Sequence, residues 1–215
     1  MEKNLNWAVL GTGVIANEMA QALKAMGKTL YAVGNRTHEK AVTFAEKYQA
    51  AKVYDDFHEM FTDPDVDVIY ITTPHNTHIG FVREALKNKK HVLCEKSITL
   101  NSLELEEALA LAKENDVIFA EAMTIWHMPL YKKLWELIDA GKTGTYASNA
   151  NEEHEEIADW LADGVPALGK VQMIQLNFGS YKEYNMKNRF FNMDLAGGAL
   201  LDIGVYALSI ARSFM

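Results

Sequence analysis

The chain has 215 residues and a formal net charge of −8, which argues against a nucleic-acid or anionic-membrane surface but leaves room for a local basic pocket. Its 49% hydrophobic content suffices for a folded core, and its single cysteine, Cys94, excludes an internal disulfide. Because there is no signal-peptide pattern and no apolar run long enough to span a bilayer, we expect a cytoplasmic protein with no nucleic-acid or membrane partner.

Strand and helix patterns alternate from the N-terminus to Glu121. Strand patterns lie at 5–10, 30–33, 52–54, 66–71, 91–94 and 117–120, and helical patterns at 14–26, 37–48, 56–61, 77–88 and 101–115. Alternation with short connections predicts an α/β fold, a right-handed, doubly wound parallel sheet of the Rossmann type. Functional groups are then expected at the carboxyl ends of the strands.

A glycine-rich turn joins the first strand to the first helix. Gly11 permits a tight turn, Gly13 lets a pyrophosphate approach the backbone, and Ala16 lets the helix pack against the strand. The free amides and dipole at the helix N-terminus favour phosphate. This context predicts dinucleotide binding, whereas the string alone is also compatible with an ordinary strand-to-helix turn. The expected contacts here are Gly11, Thr12, Gly13, Val14 and Ile15.

The end of the second strand bears on cofactor choice. An NAD-binding fold usually places a carboxylate there for the ribose 2′-hydroxyl, but this chain has Asn35 followed by Arg36. A guanidinium can bind a 2′-phosphate that a carboxylate would repel. NADP is therefore favoured, with NAD as the alternative and a solvated Arg36 as the plainer interpretation.

Two further strand ends carry candidate residues. Thr73, Pro74 and His78 follow the fourth strand, where cofactor contact or helix capping is expected and a His75–His78 metal pair is rejected. Glu95 and Lys96 follow the fifth strand and are expected to line the cofactor cleft. There a lysine can stabilise charge on a reacting oxygen or assist proton transfer, although a lone lysine after a strand is usually a surface residue.

Beyond Glu121 the pattern changes. We expect a dinucleotide-binding domain over 1–122 and a partial α+β domain over 123–215, with a helix over 129–140 ended by Gly141. Residues 171–181 have the partial alternation of an antiparallel strand, and a helical pattern over 198–214 ends the chain. Since no partner strand follows, this second domain is expected to be incomplete.

An acidic segment at 143–167 fits neither domain. Its four glutamates around His154 are interpreted as a solvated helix face rather than a metal cluster, and no metal site is predicted.

Near the C-terminus, Asp202 and Tyr206 are four residues apart. On an α-helix they share a face and can meet a common ligand, with the phenol acting as acid or base. A helix cap plus an interfacial tyrosine is the alternative.

Taken together, these motifs resemble the Gfo/Idh/MocA oxidoreductase family, and within it the branch of dimeric dihydrodiol dehydrogenases and NADP-dependent xylose dehydrogenases. The resemblance is carried by Gly11–Ala16, Thr72–His78, His91–Lys96, Glu121–Met123 and Gly197–Tyr206. It implies a Rossmann domain, a C-terminal α+β domain that can mediate homo-oligomerisation, and hydride transfer between a nicotinamide and a sugar, diol or carbonyl. It also implies that Lys96, Asp202 and Tyr206 are the catalytic residues.

The chain departs from the family pattern in three places. The family has a proline after this lysine, and this chain has Ser97 instead. If the family backbone has a cis peptide bond before that proline, Ser97 would have to adopt it, or Lys96 would shift. The segment 143–167 is an atypical insertion, and the chain stops where the family continues.

The leading hypothesis is an NADP(H)-dependent dehydrogenase acting on a secondary hydroxyl of a sugar or vicinal diol. Because of these departures, a catalytically inactive nucleotide-binding sensor or regulatory module is the alternative. A Rossmann domain without a ligand is a third reading that would require the glycine-rich turn to be incidental.

Overall fold

The computed structural model describes residues 4–143 and 171–214, and of residues 138–143 it describes the backbone only. The acidic residues 144–167, including His154 and its neighbouring glutamates, lie outside the described part. The chain divides into two compact units, one joining Met1–Ala122 with Glu183–Asp202 and the other joining Met123–Lys182 with Ile203–Met215.

The first unit is a six-stranded parallel sheet flanked by helices. Its strands are β1 (Trp7–Leu10), β2 (Leu30–Gly34), β3 (Lys52–Tyr54), β4 (Val68–Ile71), β5 (His91–Cys94) and β6 (Phe119–Glu121). Its helices are α1 (Val14–Ala25), α2 (His38–Tyr48), α3 (Phe57–Thr62), α4 (His78–Lys87) and α5 (Ser102–Glu114). The order β3-β2-β1-β4-β5-β6 confirms the predicted doubly wound sheet.

The register aligns the carboxyl ends of the strands. Leu10 lies opposite Gly34 on one side and Ile71 on the other, Ile71 lies opposite Cys94, and Cys94 lies opposite Glu121. The loops that follow these strands therefore leave the sheet along one edge, which is where a doubly wound fold binds its ligand.

The core is divided between the two faces of the sheet. Ala8 and Leu10 pack on one face with Phe61 and Ile69, whereas Val9 packs on the other with the helix residue Leu23. This alternation follows from the two-residue repeat of a strand, and burial on both faces explains the nearly continuous apolar strands.

The predicted capping box at the start of α5 is present in modified form. Asn101 Oδ1 accepts a 3.0 Å bond from the Glu104 amide, while Glu104 Oε2 accepts a 3.0 Å bond from the amide of Leu100. The glutamate thus satisfies the residue before the cap instead of the cap itself.

The second unit contains α6 (Pro129–Thr143) and α7 (Val205–Phe214). One sequence prediction is wrong here. The helix α6 continues past Gly141, since a glycine weakens a helix without having to end it. Residues 171–181 pair with no strand in the described part of the chain.

A small apolar cluster holds the second unit together. The rings of Tyr131 and Phe214 lie 5.0 Å apart between centroids, and Trp135 lies 6.0 Å from Phe214. Ile174, from the extended segment, packs against the same cluster.

One segment, Met193–Phe214, is long and apolar enough to cross a membrane by length and composition, with a mean hydropathy of 1.4. No apolar run of this length was expected from the sequence. The segment is not one continuous α-helix, because Ala196 and Gly198 have positive φ and a π-helical turn follows at Leu200–Gly204. Length and composition alone are weak evidence for a membrane span.

Candidate functional site

The glycine-rich turn has the geometry that the sequence predicts. Gly11 has a φ of +108°, its amide donates to Gly34 O at 2.8 Å, and a Cβ there would collide with the Thr72 side chain. Around Gly13 nothing lies within 4 Å of the position of a Cβ, which leaves open space in front of the first amides of α1. The turn therefore offers the cradle that a pyrophosphate needs.

Asn17 holds this turn in place, and the sequence analysis did not single it out. Its Nδ2 donates to Gly13 O at 2.9 Å and to Thr12 O at 3.3 Å. Its Oδ1 accepts from Lys47 Nζ at 2.8 Å and from Tyr48 OH at 2.7 Å. One amide side chain thus fixes the turn to the end of α2.

The end of β2 and the glycine-rich turn border the same cleft. The cleft has a volume of about 430 Å³ and is lined by Gly11, Gly13, Arg36, Lys40, Thr73 and Pro74, among others. Lys40 also lines an adjoining cavity of about 610 Å³. Lys40 lies four residues after Arg36, in the first turn of α2, and this spacing was a usable sequence signal.

The side chain of Asn35 forms hydrogen bonds with two loops, its own and the glycine-rich turn. Its Nδ2 donates to Thr12 Oγ1 at 2.6 Å, and its Oδ1 accepts from the Thr37 amide at 2.8 Å. The Asn35 amide therefore joins the glycine-rich turn after β1 to the loop after β2. Arg36 is exposed and lines the cleft.

The loop after β4 brings Thr73 and Pro74 to the cleft but leaves His78 out of it. His78 is completely buried, with Nδ1 2.9 Å from Ser97 O and Nε2 2.8 Å from Thr73 O. Burial lowers the pKa of the imidazole and favours its neutral form. Both ring nitrogens face backbone carbonyls, and contact of His78 with a cofactor stays a prediction.

Lys96 and Asp202 meet in the first unit. Lys96 Nζ donates to the backbone carbonyl of Asp202 and lies 3.3 Å from its Oδ1, and both side chains are largely buried. Arg189 Nη1 lies 3.5 Å from the same carboxylate oxygen. This places an ammonium and a guanidinium around one carboxylate, close to the carboxyl end of β5. The sequence had not indicated Arg189, which lies over 90 residues from Lys96 in the chain.

Ser97, the departure from the family pattern, takes part in this arrangement. The Lys96–Ser97 peptide is cis. The Ser97 hydroxyl donates to Leu201 O at 2.9 Å, a bond that proline cannot make.

Glu95, directly after β5, forms a hydrogen bond with Tyr70 on the neighbouring strand β4. Its Oε1 accepts from Tyr70 OH at 2.5 Å, and burial raises the pKa of its carboxyl group. Burial likewise raises the pKa of Glu121, which accepts a 3.1 Å bond from the Ile98 amide. Both carboxylates thus fix the loop around Lys96, and contact of Glu95 with a cofactor stays a prediction.

Tyr206 belongs to the second unit, where its ring lies edge-on to Phe178 at 5.7 Å. Asp202 lies in the π-helical turn Leu200–Gly204, whose repeat is wider than that of an α-helix. The four-residue spacing therefore does not by itself place Asp202 and Tyr206 on one face.

Within residues 4–143 and 171–214, no group of three or more His, Cys, Asp or Glu side chains could hold a metal ion. His75 and His78 are near each other, with ring centroids 5.7 Å apart, but no third ligand of this kind joins them in that part of the chain.

Comparisons with known proteins agree with this geometry. A family model described as "oxidoreductase family, NAD-binding Rossmann fold", of the Gfo/Idh/MocA group, matches residues 5–123. A second, for the C-terminal domain of that group, matches residues 154–215. That match begins inside the segment 143–167 predicted to be an insertion.

Curated relatives are similar over nearly all of this chain. A trans-1,2-dihydrobenzene-1,2-diol dehydrogenase from Xenopus laevis is 34% identical over 94% of the chain and 54% of its own length. A D-xylose 1-dehydrogenase (NADP(+)) from Hypocrea jecorina is 31% identical over 95% of the chain and 51% of its own length. The chain thus spans about half the length of these relatives.

Solved structures show the same fold. A probable dehydrogenase from Thermotoga maritima matches over 64% of this chain and 42% of its own length, with a TM-score of 0.60 and 33% identity. A 3-ketoreductase from Actinomadura kijaniata in complex with NADP matches over 65% of this chain and 45% of its own length, with a TM-score of 0.60 and 26% identity.

Proposed function

The chain belongs to the Gfo/Idh/MocA family of NAD(P)-binding oxidoreductases, and from that premise we propose that it is an NADP-preferring dehydrogenase acting on a hydroxyl of a sugar or vicinal diol. The observation that carries the proposal is the Lys96–Asp202 pair. Both residues belong to the same unit as the glycine-rich turn. Lys96 follows β5, whose end is in register with the strands that border the cleft.

The residues of the cleft fit a nicotinamide dinucleotide. The open space at Gly13 and the first amides of α1 suit a pyrophosphate, and Arg36 and Lys40 suit a ribose 2′-phosphate. When bound, the nicotinamide supplies the hydride-accepting or hydride-donating group. The NADP named for the Hypocrea jecorina relative and present in the Actinomadura kijaniata structure supports this preference.

Three side chains are assigned to the chemistry. Lys96 donates a hydrogen bond to the reacting oxygen and stabilises the negative charge that develops there. Asp202 holds Lys96 and orients the substrate hydroxyl, and Tyr206 exchanges the hydroxyl proton. The substrate class follows the names of the relatives, which act on a dihydrodiol and on D-xylose.

A substrate screen with this chain tests the proposal. NADPH formation is followed with D-xylose, other aldoses and trans-1,2-dihydrobenzene-1,2-diol. Converting Lys96 to Met or Tyr206 to Phe should lower kcat by about 100-fold or more, while the Kd for NADPH changes less than about twofold. Tyr181→Phe is the matched control, because Tyr181 is 90% exposed.

The outcome separates the two hypotheses. Turnover that survives Tyr206→Phe would remove that residue from the mechanism. Tight NADPH binding with no turnover on any sugar or diol would instead favour the inactive nucleotide-binding module.

We also propose a cytoplasmic location and homo-oligomerisation through the C-terminal domain, with no membrane or nucleic-acid partner. Sedimentation of the purified chain tests the oligomer, since a monomer at all concentrations would contradict it.

A further inference from the structure

Two side chains outside the proposed catalytic set connect three separate segments of the first unit. The two ring nitrogens of the buried His78 lie 2.8 Å from Thr73 O and 2.9 Å from Ser97 O. The Ser97 hydroxyl donates to Leu201 O at 2.9 Å. These polar contacts therefore run from the loop after β4, through the loop after β5, to the π-helical turn.

Each of these bonds ends beside a residue that the proposed function uses. Thr73 lines the cleft, Ser97 directly follows Lys96, and Leu201 directly precedes Asp202. We propose that His78 and Ser97 are positioning residues that set Lys96 and Asp202 against each other and against the cofactor cleft. This inference rests on the proposed function for its kinetic consequence, but its structural part stands on the hydrogen bonds alone.

An imidazole suits this bridge because its two nitrogens lie on opposite sides of one rigid ring. Carbonyl oxygens only accept, so a neutral ring donates to one of the two loops and an imidazolium donates to both. Complete burial fixes the ring, and Ser97 itself is only 5% exposed. These contacts are therefore sheltered from water. The low local dielectric of the protein interior strengthens hydrogen bonds there.

The geometry allows the two bonds to be removed separately. Asn places its amide nitrogen close to where Nδ1 lies, so His78→Asn retains a donor towards Ser97. Gln extends its amide towards the Nε2 position, so His78→Gln retains a donor towards Thr73. His78→Phe keeps a ring and loses both ring nitrogens, and Ser97→Ala removes only the hydroxyl that reaches Leu201.

His91→Phe is the matched control. It is the same replacement at the amino end of β5, where His91 Nδ1 accepts a single 3.0 Å bond from the Ile118 amide. This variant loses one side-chain bond at the opposite edge of the sheet.

The kinetic test compares kcat, substrate KM and NADPH affinity in the full chain. His78→Phe should lower kcat by about 10- to 100-fold, because small displacements of a reacting group have effects of this size. The Kd for NADPH should stay within about threefold, and His78→Asn should retain more activity than His78→Gln, since the bond to Ser97 supports Lys96 directly. A rise in the NADPH Kd that matches the loss in kcat would overturn the proposal and point instead to His78 as a cofactor-binding residue.

A double-mutant cycle distinguishes positioning from general destabilisation. In a Lys96→Met background, His78→Phe should lower the remaining kcat less than about twofold, because the group that it positions is gone. An equal loss in both backgrounds would show that His78 does not act through Lys96 and would overturn the proposal.

A measurement that needs no turnover keeps the two proposals separable. If the wild-type chain has no activity on any substrate, the proposed function has failed, and amide hydrogen exchange decides the inference. His78→Phe should speed exchange in both 73–77 and 95–99 relative to His91→Phe, and unchanged exchange would overturn it. If His78→Phe does not fold, His78→Gln and Ser97→Ala carry the same comparison, each on the loop whose bond it removes.

Discussion

Arg36 and Lys40 together give the cleft a positive charge where β2 ends. Arg36 follows the strand directly and Lys40 lies in the first turns of α2, so both can reach one ligand group. Asn35, where a carboxylate would select the unphosphorylated ribose, is held by Thr12 and Thr37. The selectivity is therefore assigned to the two cations.

Replacing either cation with alanine should weaken NADPH binding much more than NADH binding. A hydrogen bond to a charged group contributes about 1.5–3 kcal/mol, so Arg36→Ala should raise the NADPH Kd by about 10- to 100-fold. Lys40→Ala should have a smaller effect in the same direction, and the Kd for NADH should change less than about twofold. Lys113→Ala, an exposed change of equal charge on α5, is the control. Equal losses for both cofactors would contradict this assignment.

At the scale of elements, the turn between β1 and α1 contains two glycines with different tasks. Gly11 has a positive φ and no space for a side chain, whereas Gly13 has a φ of −73° and open space around it. The first glycine is needed to fold the turn, and the second leaves open space through which a ligand can approach.

Alanine substitutions at the two positions should therefore separate stability from binding. Gly11→Ala should lower the free energy of unfolding by about 1–3 kcal/mol because of strain and collision with Thr72. Gly13→Ala should leave the unfolding midpoint nearly unchanged but weaken NADPH and NADH alike, since both have the pyrophosphate. Chemical denaturation and fluorescence titration measure the two effects. A Gly13→Ala variant that binds normally would move the pyrophosphate away from this turn.

The sequence predicted elements well where local signals determine them. The strands at 52–54 and 91–94 have the predicted bounds, and the Asn101 cap precedes its helix as expected. It failed where the local signal does not decide, as at Gly141, which α6 passes through instead of ending there. The π-helical turn around Asp202 was also missed, because one inserted residue leaves the apolar pattern of a helix nearly intact.

For the molecule as a whole, acid stability should depend on one buried carboxylate. Asp63 is 8% exposed, and its Oδ2 accepts a 2.8 Å bond from Lys52 and another from Tyr54 OH. Burial alone would raise the pKa of Asp63, but the bonds from Lys52 and Tyr54 outweigh it and lower that pKa to about 2. Because the folded pKa is below the unfolded value of about 3.9, the ionised group stabilises the fold above that value. This stabilisation is lost as the pH falls towards 2.

The Asp63→Asn variant should therefore be less stable than the wild type near neutral pH by about 2 kcal/mol. The difference in free energy of unfolding should narrow as the pH falls from about 4 towards 2, as followed by urea denaturation. Asp116→Asn, an exposed change of equal charge, should show no such narrowing. A difference for Asp63→Asn that stays constant with pH would contradict the linkage.

The candidate site was predictable in part. The glycine-rich turn, Arg36, Lys96 and Asp202 could be named because they stand in motifs next to strand or helix ends. The role of Ser97 depends on a bond to Leu201, 104 residues away in the chain. The role of His78 depends on which way its ring faces, and its Nε2 faces Thr73 O in the preceding loop. A motif names a residue type at a position, but it does not tell whether the side chain faces the ligand or the backbone behind it.

The most direct test of the proposed cofactor preference is a fluorescence titration of this chain with NADPH and with NADH. Both should bind saturably, with NADPH bound at least about tenfold more tightly, a difference of about 1.4 kcal/mol. No binding of either cofactor, or tighter binding of NADH, would contradict it.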